Sequence, residues 1–202
     1  MILPITSEHM PLRRGRVEVS AGFLVLAAWL NYLDSEGVFL WVLVSCLCHE
    51  CGHLLALRLL GVPVGKIRVT AVGAEICIAG GVSYGGELLA ALAGPGVNLM
   101  LAVCASRVSG GHLFAGINLV LGAFNLIPIG RLDGGRALDC MLSLTVGPAV
   151  GRRIVLVSSW ICTAVLAALG GYLLRWGGNG SLLLIALWMA VSMADFGGKR
   201  RK

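Results

Sequence analysis

The chain has 202 residues, of which 57% are hydrophobic and 13% charged, with a formal net charge of +6. This composition excludes an ordinary soluble domain, in which about a quarter of the residues are charged. The basic residues are scattered between apolar runs without interleaved aromatic side chains, which argues against a nucleic-acid partner. The sequence therefore predicts a single polytopic membrane domain embedded in the lipid bilayer.

Long apolar runs predict about six transmembrane helices, so the expected fold class is an all-α polytopic membrane protein. We expect an N-terminal tail over 1–18, a membrane core over 19–196 and a basic C-terminal tail over 197–202. The six helices are expected at 19–33, 36–60, 87–108, 112–129, 154–174 and 181–194.

The connection between the second and third helices differs from its surroundings. Polar and apolar residues alternate over 66–70 and again over 75–78, with Gly73 and Ala74 between them. Alternation at period two around a glycine-containing break predicts a β-hairpin, placed at about 62–85. An edge strand within Lys66 to Ile78 can pair with an extended peptide.

The distribution of basic residues predicts the orientation in the membrane. Six helices place both termini on one side, and of the 16 Lys and Arg residues all but Arg107 and Arg175 then fall on that same side. Basic residues favour the cytosolic side, so both termini are expected in the cytosol.

The second apolar run, Val38 to Leu60, contains the motif H-E-x-x-H at His49, Glu50 and His53. Residues four apart on a helix lie one turn above each other, so both imidazoles can bind one zinc ion. Glu50 can then act as the base that takes a proton from the attacking water. The alternative is a polar cluster that only holds helices together, although ionisable groups at membrane depth favour a functional site.

A catalytic zinc site needs a third protein ligand and an open position. Asp133 is the best candidate, because the proline and glycines of the segment 125–136 interrupt the helix beside it. Irregular backbone at membrane depth is tolerated where it is buried or lines a cavity. Two alternatives stay open: Asp133 caps a helix, or the ligand is one of Glu75, Glu87 and Asp139.

Three segments together resemble the site-2 protease family of intramembrane zinc metalloproteases. They are His49 to His53, the G-P-x-x-N element Gly94 to Asn98, and the N-x-x-P-x-x-x-L-D-G-G element Asn125 to Gly135. The resemblance covers roughly Ser20 to Ala194 and is strongest to the compact members that process a sporulation sigma-factor precursor. From the length given, we expect neither the PDZ domain nor the nucleotide-sensing domain that some relatives carry.

The resemblance implies roles for individual residues. His49, His53 and Asp133 would bind one zinc ion, with Glu50 as the catalytic base. Asn125 and Pro128, together with Asn98, would shape the cleft that admits substrate. For both asparagines, hydrogen bonding between helices is the alternative. One departure is Arg131, which stands where many relatives have a proline and leaves the local loop shape and substrate preference open.

The resemblance also implies the reaction and its place. The expected function is regulated intramembrane proteolysis in a bacterial inner membrane, with the active site toward the cytosol. The expected substrate is a membrane-associated sigma or transcription factor precursor, with remnant signal peptides as second option, and a regulatory membrane partner is compatible with this function. The alternatives are a non-catalytic metal-binding membrane partner and a small metal transporter.

The seven cysteines are odd in number and fall mostly within the apolar runs. This pattern argues against a disulfide framework. Cys48 and Cys51 flank the motif as C-x-x-C, which leaves redox control or an additional thiolate ligand as alternatives to simple helix packing.

Overall fold

The computed structural model describes residues 16–70, 73–78 and 80–199. Residues 1–15 of the predicted N-terminal tail and 200–202 of the predicted C-terminal tail lie outside this part of the chain. The chain forms two compact units, Met1–Leu126 and Ile127–Lys202.

The first unit contains three strands and four helices. In chain order they are β1 (Arg16–Val19), α1 (Ala21–Leu33), α2 (Val38–Leu59), β2 (Val64–Thr70), β3 (Gly73–Ile78), α3 (Tyr84–Ser106) and α4 (His112–Asn125). The second unit contains three helices, α5 (Asp133–Thr145), α6 (Pro148–Arg175) and α7 (Ser181–Lys199).

Polar side chains define where α1, α2 and α3 begin. The Ser20 hydroxyl accepts from the Phe23 amide and caps α1, and the Ser83 hydroxyl accepts from the Gly86 amide and caps α3. The carboxylate of Asp34 accepts from the amides of Val38 and Phe39 at the start of α2. These bonds satisfy amide groups that have no partner within their own helix.

The three strands form one sheet with β2 at its centre. β1 runs parallel to β2, and β2 and β3 form an antiparallel hairpin. Glu18 on β1 pairs with Lys66 on β2 at 2.6 Å, which places opposite charges on neighbouring strands. The hairpin was predicted from alternation, whereas the pairing of β1 was not.

The sheet packs on the ends of two helices of the same unit. Ile76 of β3 forms a buried cluster with Leu57 near the end of α2 and Ala90 near the start of α3. Leu57 lies one turn beyond His53, so this cluster holds the sheet beside the cytosol-directed end of the motif helix in the predicted orientation.

The helices bury small and polar side chains and expose large apolar ones. Ser45, Asn98 and Asn118 are fully buried, whereas Trp29, Leu40 and many other large apolar residues of the helices are more than half exposed. Among the described residues, α2, α3 and α6 are long and apolar enough to cross a membrane, and α1, α4 and Ser181–Val191 are shorter apolar helices. This pattern is typical of helices surrounded by lipid.

The predicted helix boundaries differ from the observed ones mainly in the second half of the chain. The helix predicted over 112–129 ends at Asn125, and the following turns lead into the separate helix α5, which was not predicted. Helix α6 begins at Pro148, where proline is favoured in the first turn, rather than at Ile154.

Candidate metal centre

His49 and His53 lie one turn apart on α2 and face each other. Both are buried, with 6% and 7% of their surface exposed. Their Nε2 atoms are 3.1 Å apart, and the two ring planes are inclined at 84°. The helical spacing predicted from the motif is therefore realised.

Hydrogen bonds on the far side of each ring determine where its proton lies. Nδ1 of His53 lies 2.7 Å from the main-chain oxygen of Ala90, which can only accept, so Nδ1 carries the proton. Nδ1 of His49 lies 2.5 Å from the side-chain oxygen of Asn98. The amide nitrogen of Asn98 points to the main-chain oxygen of Ser45, so its oxygen accepts from His49.

Both rings therefore carry their proton on Nδ1 and turn the lone pair of Nε2 toward the same place. In this tautomer, the Nε2 atoms of two neutral imidazoles can both bind one cation. Nitrogen ligands of a tetrahedral zinc ion lie about 3.3 Å apart, given zinc–nitrogen bonds near 2.0–2.1 Å. The observed separation of 3.1 Å fits zinc.

Glycines allow α2 and α3 to pack closely at the histidines. A Cβ atom at Gly94 would overlap Nε2 of His53 and lie 2.9 Å from Cε1 of His49. A Cβ atom at Gly52 would lie 2.8 Å from the main-chain oxygen of Ala93. The glycine of the G-P-x-x-N element thus leaves the space that the imidazoles occupy.

Glu50 follows His49 directly on α2 and is half-buried. A carboxylate at this place in the motif is suited to accept a proton from water held between the histidines and a substrate.

Asp133 belongs to the second unit, where it is the first residue of α5 and only 2% exposed. Its carboxylate lies 3.8 Å from the guanidinium of Arg136. A carboxylate in the first turn of a helix is also stabilised by the helix dipole. The rival ligands Glu75, Glu87 and Asp139 are only half-buried.

Two serines of α6 hold the loop before Asp133. The hydroxyl of Ser158 donates to the main-chain oxygen of Pro128, and the hydroxyl of Ser159 accepts from the amide of Gly130. A Cβ atom at Gly135 would overlap the main-chain oxygen of Ile129, so glycine is required where the loop folds back on α5. The irregular backbone predicted here is thus buried and hydrogen-bonded within the second unit.

The three residues predicted to line a substrate cleft have different surroundings. Asn98 is fully buried and bonds to His49, and Asn125 donates to the main-chain oxygen of Leu121 in its own helix. The main-chain oxygen of Pro128 accepts from Ser158. Their roles toward substrate stay predictions, and the bonds of Asn98 are those of the alternative, hydrogen bonding between helices.

Four residues with clear structural roles were missed in the sequence: Ser45, Asn118, Ser158 and Ser159. Each is a polar side chain within an apolar helix, which is the signal that could have identified it. Ser45 also lies one turn before His49, on the same face of α2.

The first unit supplies two buried imidazoles and the second a buried carboxylate, and these donor types are compatible with one zinc ion. Together with the membrane-length helices, they indicate the class of zinc metalloproteins of the membrane.

Comparison with known proteins agrees with this class. The model of Peptidase family M50 matches residues 108–169. A zinc metalloprotease of Methanocaldococcus jannaschii is 31% identical over 147 residues, covering 65% of this chain and 43% of the relative. The protein Rip3 of Mycobacterium tuberculosis is 30% identical over 171 residues, covering 74% of this chain and 41% of Rip3.

A solved structure, the site-2 protease from Methanocaldococcus jannaschii, is similar with a TM-score of 0.58 and 28% identity, over 86% of each chain. These matches make the chain similar to peptidase family M50, the site-2 proteases. It spans less than half the length of the two curated relatives.

Proposed function

We propose that this chain is an intramembrane zinc metalloprotease that hydrolyses a peptide bond within or next to a transmembrane segment of its substrate. The observation that carries the proposal is the pair of buried imidazoles whose Nε2 atoms lie 3.1 Å apart, with Glu50 beside them on a helix long enough to span a membrane. The match to the model of peptidase family M50 and the zinc metalloprotease among the relatives support the same reaction.

His49, His53 and Asp133 are the proposed zinc ligands. When bound in such a site, zinc lowers the pKa of water toward neutrality and polarises a carbonyl group. Glu50 takes the proton from the attacking water and returns it to the leaving amine. His49 and His53 enter this chemistry already in the tautomer that presents Nε2.

The outer edge of the sheet is the proposed place for an extended substrate segment. A helical peptide bond is shielded by its own backbone, so substrate must unwind before hydrolysis. In the described part of the chain, β2 is paired on both sides, and β3 has a neighbour only on the β2 side. Strand β3 can therefore accept a further strand by main-chain hydrogen bonds.

We further propose six transmembrane helices with both termini and the active site toward the cytosol. The three short apolar helices would complete the three long ones. The charge asymmetry along the sequence supports this orientation. A membrane-associated sigma or transcription factor precursor in a bacterial inner membrane would then present its cleavage site from the cytosolic side.

The test is co-expression of the wild type or Glu50→Gln with a membrane-tethered sigma-factor reporter, with cleavage and bound zinc measured in each. We expect zinc in both proteins and a cleavage rate lower by about 10²–10⁴-fold in the variant, the range for loss of a general base. Cleavage that persists in Glu50→Gln would contradict the role of Glu50. Zinc without cleavage in the wild type would favour the metal-binding partner, and zinc transport into liposomes would favour the transporter.

A further inference from the structure

A chain of buried side-chain hydrogen bonds extends from His49 away from the metal-binding face. It passes from His49 to Asn98 on α3, then to Asn118 on α4, and ends at Ser45 on α2. Asn98, Asn118 and Ser45 are each 0% exposed. We call these three residues the His49 support chain.

Main-chain oxygens fix the direction of every bond in the support chain, because they can only accept. The hydroxyl of Ser45 donates to the main-chain oxygen of Trp41 at 2.8 Å, so it must accept from Asn118. The amide nitrogen of Asn118 also donates to the main-chain oxygen of Phe114 at 2.9 Å, which leaves its side-chain oxygen as the acceptor for Asn98.

The same reasoning applies one step closer to the histidine. The amide nitrogen of Asn98 donates to Asn118 at 2.8 Å and to the main-chain oxygen of Ser45 at 3.2 Å. Both of its N–H groups are used, so only its oxygen can face His49. A rotated amide would break these bonds and leave buried polar atoms without partners, which is unfavourable.

We propose that Asn98, Asn118 and Ser45 are positioning residues that hold His49 in the Nδ1–H tautomer, with Nε2 oriented to bind zinc. This inference rests on the proposed role of His49 as a zinc ligand. His53 donates instead to the main-chain oxygen of Ala90, which no side-chain substitution removes. At Nδ1, His49 is thus the member of the pair whose hydrogen bond depends on another side chain.

The support chain also joins α2, α3 and α4, so its effect on the metal must be separated from an effect on helix packing. A purely structural role predicts lower stability with unchanged zinc affinity once the protein is folded. A positioning role predicts lower zinc affinity and an altered ligand field at the metal. Groups that hold a metal-binding histidine from behind typically contribute 10–100-fold to metal affinity, so we expect about that loss.

The experiment uses the full chain purified in detergent. Zinc affinity is measured by competition with a chelator, and the ligand field by the visible absorption of the Co²⁺-substituted protein. Asn98→Ala is expected to bind zinc about 10–100-fold more weakly and to shift the Co²⁺ bands. Asn98→Asp keeps an acceptor for His49 and is expected to lose less. Thr163→Val is the matched control, because Thr163 is buried and contacts Met193 instead of the support chain.

A double-mutant cycle tests whether the distant residues act through Asn98. Ser45→Ala and Asn118→Ala are expected to weaken zinc binding less than Asn98→Ala, and to add nothing further once Asn98 is alanine. If Asn98→Ala does not fold, Ser45→Ala and Asn98→Asp carry the same comparison. If folded variants at all three positions keep the wild-type zinc affinity and Co²⁺ spectrum, the proposed positioning role is wrong, and the proposed function still stands. A wild type that binds no zinc would overturn the proposed function as well.

Discussion

Gly94 lies against the edge of His53 that carries Nε2, and a Cβ atom there would overlap this Nε2 atom. We expect Gly94→Ala to push both rings out of place, to lower zinc content and to reduce cleavage strongly. Gly96→Ala is the matched control, since Gly96 lies on the same helix and a Cβ atom there meets nothing within 4 Å. Full zinc content in Gly94→Ala would show that α3 can move away from the histidines.

Asp133 is expected to be the third zinc ligand. Replacing it by asparagine keeps its shape but removes the charge that favours a divalent cation. A direct ligand should contribute more than a residue that only orients a ligand, so we expect zinc affinity to fall by at least about 100-fold. Zinc content and chelator competition measure this effect.

Asp139→Asn is the control for this comparison, because Asp139 lies on the same helix and is only half-buried. Equal zinc affinity in Asp133→Asn and wild type would assign the third ligand to another residue. An equal loss in both variants would point to a general effect of negative charge on α5.

Ser159 is expected to stabilise the loop before Asp133. Its hydroxyl accepts from the Gly130 amide at 2.8 Å and donates to the main-chain oxygen of Val155 at 2.6 Å. Removing the hydroxyl leaves the Gly130 amide without this partner, so we expect Ser159→Ala to lower the free energy of unfolding by about 1–3 kcal/mol. Thermal unfolding in detergent measures this change.

Thr145→Ala provides the comparison for Ser159→Ala, because the Thr145 hydroxyl is exposed and donates only within its own helix. We expect its unfolding temperature to stay close to that of the wild type. Equal shifts in the two variants would mean that the bond between Ser159 and the loop contributes nothing specific.

The outer edge of β3 is expected to bind substrate. The Val69 carbonyl accepts from Ser20, so the backbone of Val69 faces β1, and its partner Ala74 therefore turns its own N–H away from β2. Proline at Ala74 removes an outward donor and should leave the hairpin paired. We expect Ala74→Pro to reduce cleavage while zinc stays bound, and Ala74→Val, which keeps the donor, to cleave normally.

Proline at Val69 would be a poorer test, because Val69 pairs with Val19 and the substitution would disturb the pairing of β1 with β2. Cleavage by Ala74→Pro at the wild-type rate would argue against strand addition at this edge.

The features with strong local signals were predictable from the sequence. The H-E-x-x-H spacing predicted the facing imidazoles, and the alternation around Gly73 predicted the hairpin. Strand β1 was not predictable, because Arg16–Val19 is short and pairs with a strand about fifty residues further on. The role of Asn98 was equally hidden, since it depends on which groups of α2 and α4 surround it.

The end of α4 at Asn125 illustrates the same limit. The apolar residues that follow it extend the hydrophobic pattern of the helix, and the sequence alone favoured a helix up to Ile129. In the structure, Ile129 is fully buried and the neighbouring backbone is bonded to serines of α6. Pro128 disfavours helix in the residues before it, and the tertiary hydrogen bonds hold the non-helical backbone that follows.

The burial of small and polar side chains reverses the usual expectation about which substitutions matter. On the outer faces, exchange of one large apolar residue for another changes little, since lipid adapts to either shape. On the inner faces, one added methyl group at Gly52 or Gly94 meets atoms of the neighbouring helix. Loss of the amide at Asn98 removes the hydrogen-bond partner of His49. Substitution scans of this chain should therefore show their strongest effects at its smallest and most polar residues.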